Sequence, residues 1–144
     1  LPLDFANNEY TLVINGLTLD TVSGSDQFYS GGTITLFEDS GTAADFGDAS
    51  TFSDGTALLI GTFDVLNRSV LLSLGQATGS VNWTGGTRIG DLAPADRLDW
   101  GFFAAANPAN ALAGYDEAWD GKVEPREPVV KNDVQSFGAL KSTW

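Results

Sequence analysis

The chain has no cysteine, no histidine and no methionine in its 144 residues. Without cysteine there are no disulfides, no thiolate metal sites and no thiol nucleophiles. Without histidine, the usual general base near neutral pH and the commonest transition-metal ligand are both missing. A Ser-His-Asp triad and a histidine-based zinc hydrolase are excluded, and a typical haem site is disfavoured. Basic residues are scarce too. Seven Lys and Arg stand against nineteen Asp and Glu, for a net charge of −12. Arg68 is the first base in the chain, and Lys122, Arg126, Lys131 and Lys141 fall in the last quarter. Such charge repels nucleic acid and anionic lipid, so no nucleic-acid partner is expected. No run of ~18 apolar residues exists, so no membrane span is expected. The chain starts at Leu1 rather than Met, which fits a processed, secreted chain.

A chain of this length suits one domain. It buries roughly 68–70% of its unfolded surface and so needs no covalent staple. Helical periodicity is nearly absent. Period-2 segments bounded by Gly, Asn, Asp and Ser recur instead. EYTLVIN places Tyr10, Leu12 and Ile14 on one face. Asn15-Gly16 then reads as a hairpin turn into LTLDTV. TITLF follows, with Ile34 and Leu36 on one side. TALLIGTFDVL is apolar on both faces, with Leu59, Phe63 and Val65 on one and Leu58 and Ile60 on the other. That pattern predicts a central strand. Gly61 within it predicts a bulge or close approach. Asn67-Arg68 reads as a turn into SVLLSLG. In QATGSVNWT, Ala77, Val81 and Trp83 share a face, and Trp83 is expected in the core. RLDWGFFAA supplies a further strand near 97–104, and NPANALAGYDEAWDG reads as loop. The fold expected is an all-β antiparallel sandwich of seven to eight strands, jelly-roll or Ig-like. It would occupy residues 1–123, with an extended C-terminal arm at 124–144 punctuated by Pro125 and Pro128.

Three features bear on function. The first is the loop EDSGTAADFGDASTFSDGT, residues 38–56, with five carboxylates and no base. Calcium takes six to eight oxygens from such groups, and Asp39, Asp45 and Asp54 are the candidate ligands. The EF-hand spacing is absent, and the plainer reading is a set of Asx turns in an ordered Ω-type loop pinned by Phe46 and Phe52. No cofactor is required; Ca2+ is the one ion this loop would take. A second acidic group, Asp116, Glu117 and Asp120, offers a weaker cation site. The second feature is aromatic. Trp119 lies in a loop, where its ring would serve as a platform for a polysaccharide. The third is the arm itself. Val129, Val130, Val134, Phe137, Leu140 and Trp144 would anchor it on a neighbouring subunit's sheet edge, or on its own body. The segment LPLDFANN at the start is an alternative donor. A glycosidase needs two carboxylates at a set separation, and no pair stands out in the spacing.

Five segments, EYTLVINGLTL, YSGGTITLFEDSGTAADF, FSDGTALLIGTF, VNWTGGT and GYDEAWDGKV, together resemble secreted bacterial surface proteins of the PEP-CTERM cargo kind. The likeness spans most of residues 9–123 and carries no catalytic residues. The terminal hydrophobic anchor of that group is missing, and DVQSFGALKSTW is similar instead to short W-G-x-[IL]-K signatures on secreted proteins, with Phe137 in the Trp position. The resemblance implies an extracellular or cell-surface protein. The reading that follows is a secreted, non-enzymatic structural subunit that forms a homo-oligomer or polymer. The alternative is a carbohydrate-binding module.

Overall fold

In the computed structural model, residues 1–71, 74–107 and 111–126 are described. They form an all-β unit: β1 Glu9–Ser23, β2 Asp26–Asp39, β3 Thr56–Leu71, β4 Leu74–Gly85, β5 Trp100–Asn107 and β6 Ala118–Glu124. All six lie in one antiparallel sheet in chain order, curled into a half-barrel. The described residues thus show one sheet of six strands where two packed sheets of seven to eight were expected. The difference traces to two misread turns. Asn15-Gly16 does not reverse the chain: Asn15 pairs with Thr33 and Leu17 with Gly31 within one continuous pair of strands. Gly16 (φ 72°) and Gly32 (φ 77°) share this stretch, and their positive φ serves a kink inside a long strand. Asn67-Arg68 likewise stays inside β3, opposite Thr78 and Ala77 of β4. Four expected short strands are therefore two long ones.

Sequence parity carries through β3 only as far as its irregularities. The register against β4 shifts between Phe63 and Val65. Such a bulge moves later side chains to the opposite face. Phe63 is therefore buried while Val65 is 49% exposed, and Leu66 is the residue that returns to the core. Gly61 sits at another register shift, where a Cβ would lie 2.7 Å from the Asn82 carbonyl oxygen and 2.8 Å from the Trp83 ring. A bare backbone is what lets Trp83 lie there. Leu58 and Leu59, on opposite faces, are both buried, which agrees with a central strand.

The main core gathers Ile34, Leu59, Phe63, Leu66, Ala77, Val81, Trp83, Phe102 and Ala104 from β2 to β5. Phe63 and Phe102 meet edge to face at 5.3 Å, as do Trp83 and Trp100 at 5.8 Å. Between β4 and β5, the 3-10 turns Ile89–Asp91 and Pro94–Arg97 bring Leu92 into this cluster and Ile89 against it. The segment is tied down by Thr87 and Arg88, whose N–H groups donate to the Ala57 and Leu58 carbonyls. The start of the chain docks on its own body. Asp4 caps a turn by accepting from the Ala6 N–H, Tyr10 Oη accepts from the Asp4 N–H, and Phe5 packs edge to face on Tyr10 at 4.9 Å. LPLDFANN thus packs on the start of β1 of its own chain. No helix among the described residues is long and apolar enough to cross a membrane.

Candidate functional site: a cleft in the open half-barrel

A half-barrel leaves a gap where a full barrel would close. Here the gap is a cleft of about 470 Å³, within the usual size of a ligand site. Leu12, Ile14 and Leu17 of β1 line one wall. Leu112 and Tyr115, on the segment entering β6, and Trp119 of β6 line the other. Tyr29, Leu66, Phe102 and Ala104 contribute from the strands between them. Phe46 and Phe52 of the acidic loop reach the same space.

One polar cluster organises this end of the sheet. Arg68 faces Gln27 across the β2–β3 pairing and Ala77 across β3–β4. Its guanidinium holds the Glu117 carboxylate with two donors, Nε at 2.9 Å and Nη2, while Nη1 donates to Gln27 Oε1 at 2.6 Å. Tyr29 Oη donates to the same Gln27 oxygen at 3.0 Å, and Trp119 Nε1 donates to Glu117 Oε2 at 2.7 Å. The Arg68 and Glu117 side chains are only 14% and 13% exposed. The hydrogen bond to Glu117 raises the Arg68 pKa above its ordinary value against the opposing effect of burial. A two-donor fork of this kind fixes geometry as well as charge. It locks residues 115–119 to the middle of the sheet.

The acidic loop is ordered by its own carboxylates. Asp39 accepts from the N–H groups of Gly41 (2.8 Å) and Thr42 (3.1 Å). Asp45 accepts from the Gly47 N–H at 2.7 Å. Asp48 accepts from the Ser50 N–H and Oγ and so caps the 3-10 turn Ala49–Phe52. These bonds are Asx turns, as the plainer sequence reading has it. Bonds from Gly41 and Thr42 lower the Asp39 pKa, and bonds from Ser50 lower that of Asp48. Phe46 and Phe52 pack edge to face at 5.3 Å. Glu9 accepts from the Ala44 N–H and Thr11 Oγ1 donates to the Phe52 carbonyl, tying the loop to β1. Asp54 lies exposed beyond the turn. Among the described residues no three acidic side chains are grouped to hold a metal ion, so Asp39, Asp45 and Asp54 are not brought together.

Trp119, read from the sequence as a loop residue, is in β6. It is half-buried and tilted against Phe102 at 5.6 Å. It forms part of a wall of the cleft. The arm residues Val129, Val130, Val134, Phe137, Leu140 and Trp144 lie outside the described residues. Of the arm's start, Glu124 ends β6 and Arg126 pairs with Asp99 at 3.1 Å. Sequence reasoning missed the Arg68–Glu117 pair. The signal was present: in VLNRSVLL the sole base of the first half shares its parity with Leu66 and Val70. An inward arginine demands an acid. No family model matches the chain, and no curated protein or solved structure is significantly similar to it.

Proposed function

We propose that the chain is a secreted, non-enzymatic structural or assembly subunit of the bacterial surface or extracellular matrix. In this reading it polymerises by exchange of its C-terminal arm. The observation that carries the reading is the open half-barrel. Among the described residues β1 and β6 are the sheet edges, and an exposed edge is a template for an added strand. β1 alone offers 15 residues. The chain passes from β6 into Pro125 and the apolar arm residues. A strand donated by a neighbour would be the seventh beside the six described strands. An extracellular site agrees with the acidic, lysine-poor composition and the resemblance to secreted surface proteins.

One observation favours a second reading. Trp119, Tyr115 and Tyr29 line a cleft of suitable size together with Arg68 and Glu117. Aromatic faces beside planar polar groups are the means by which a binding module grips a neutral polysaccharide.

Sedimentation velocity over a range of concentration separates the readings. The full chain is expected to grow in mass with concentration. A full-length F137S/L140S/W144S variant is expected to stay monomeric with an unchanged melting midpoint. If the intact chain is monomeric throughout, the assembly reading fails.

A further inference from the structure

Resting on the second reading, in which the cleft takes a sugar, we infer that this sugar is cationic: a chain of amino sugar units whose ammonium group is held by the aromatic rings and Asp116. Three features of the cleft support this ligand over a neutral or an anionic one.

The first is which polar groups remain unpaired. The Arg68 nitrogens, both Glu117 oxygens, the Trp119 N–H and the Tyr29 hydroxyl are engaged within one cluster. The side chains of Asn15, Tyr115 and Asp116 line the same cleft and make no hydrogen bond among the described residues. They offer an amide, a phenol hydroxyl and a carboxylate. Donors and acceptors together match the hydroxyls and amines of a sugar. An alkyl chain would leave all three to water.

The second is charge. Arg68 is the only base lining the cleft among the described residues, and Glu117 meets it with both oxygens. Asp116, exposed, then leaves the lining with one uncompensated negative charge. Phe46, Ala49 and Phe52 reach the cleft from the acidic loop, where Asp45 and Asp48 are their chain neighbours. The chain holds no base before Arg68. A cleft in a field of one sign concentrates ions of the other. Uronic, sulfated and phosphorylated sugars are repelled from it, and an ammonium group is drawn in.

The third is the rings. Tyr29, Tyr115 and Trp119 line the cleft beside Phe46, which is 67% exposed. An aromatic ring covers the apolar face of a sugar, and it also attracts an ammonium group within about 6 Å of its centre. A neutral sugar draws on the first property alone. An amino sugar draws on both, and on Asp116 as well. The cleft is the open side of a half-barrel, so a polymer need not end inside it.

The test is calorimetric titration of the full chain with four-unit oligomers of glucosamine, glucose and mannuronic acid, at low salt and at a pH that keeps the amines protonated. The glucosamine oligomer is expected to bind about tenfold more tightly than the glucose oligomer, and the mannuronic acid oligomer is expected not to bind. Asp116→Asn should weaken glucosamine binding about fivefold, the worth of one exposed ion pair, and leave glucose binding unchanged. Asp20→Asn makes the same change in net charge at an exposed position of β1 outside the cleft and should alter neither. Tyr115→Ala should weaken both sugars. Equal affinity for glucosamine and glucose, or binding of mannuronic acid, overturns the cationic class and leaves the sugar-binding reading standing. Equal losses in Asp116→Asn and Asp20→Asn show attraction to the acidic surface at large and overturn the site. Unchanged binding by Tyr115→Ala places the sugar outside the cleft and overturns it too. A folded chain that binds none of the three oligomers removes both the inference and the reading beneath it.

Discussion

The two ends of the concave face are closed by different means. At the Trp83 end, the chain supplies its own cover. Residues 87–98 fold over, Leu92 joins the core, and Trp83 and Trp100 stack edge to face. At the Trp119 end no such cover exists among the described residues. There the face is held by the Arg68–Glu117 fork and an open cleft remains. Strands of one sheet thus end in a packed apolar plug on one side and in a polar clasp on the other. The apolar end draws its stability from area removed from water. The polar end gains mainly position, since a buried ion pair offsets much of its own desolvation cost.

This contrast is most strongly tested at Trp83, which is 3% exposed. Trp83→Ala is expected to cost about 4 kcal/mol in denaturant unfolding. Its Nε1 has no hydrogen-bond partner among the described residues, so Trp83→Phe should cost much less than Trp83→Ala. At the other end, Arg68→Met should cost about 3 kcal/mol by leaving Glu117 buried without its partner. The double variant R68M/E117L should recover most of that loss. Additive costs in the cycle would show that the pair is not coupled.

How far the sequence foretold this contrast depends on what each end uses. The Trp83 end is built on period-2 apolar alternation, and Ala77, Val81 and Trp83 are buried as that pattern predicts. Gly61 was legible because only glycine admits the Trp83 ring so close. The Trp119 end was legible only in the parity of Arg68 with Leu66 and Val70, which pointed the base inward without naming its partner. Its clasp joins residues 49 apart, and Arg68 sits in a dipeptide that resembles a turn. Turn signals also misled at Asn15-Gly16, where positive φ is needed for a kink between facing glycines rather than for a reversal. Local signals report backbone conformation; they do not report whether the neighbouring strand continues. Hence strand type was readable, while strand number and the single curled sheet were not.

The acidic loop should respond least. Asp39 and Asp48 have lowered pKa values in the fold. Their contribution is present above the ordinary carboxylate pKa of about 3.9 and is lost as pH falls through the lowered values. D39N/D48N should therefore lower the melting midpoint slightly at pH 7 and flatten the acid limb, so that the two profiles converge at low pH. Calcium and chelator should give coincident melts, since a native-state ligand would raise the midpoint. A rise with calcium would return Asp39, Asp45 and Asp54 to the role of ligands.

The difference between a self-covered end and a receptive end is tested most directly by amide hydrogen exchange on the full chain, at concentrations below and above self-association. At both, β3–β5 amides around Phe63, Val81 and Phe102 should be equally protected. Protection at Leu12–Leu17, already partial through pairing with β2, and at 112–119 should rise only in the assembled state. Equal exchange at those two segments in both states, or a change confined to the Trp83 end, would contradict the account.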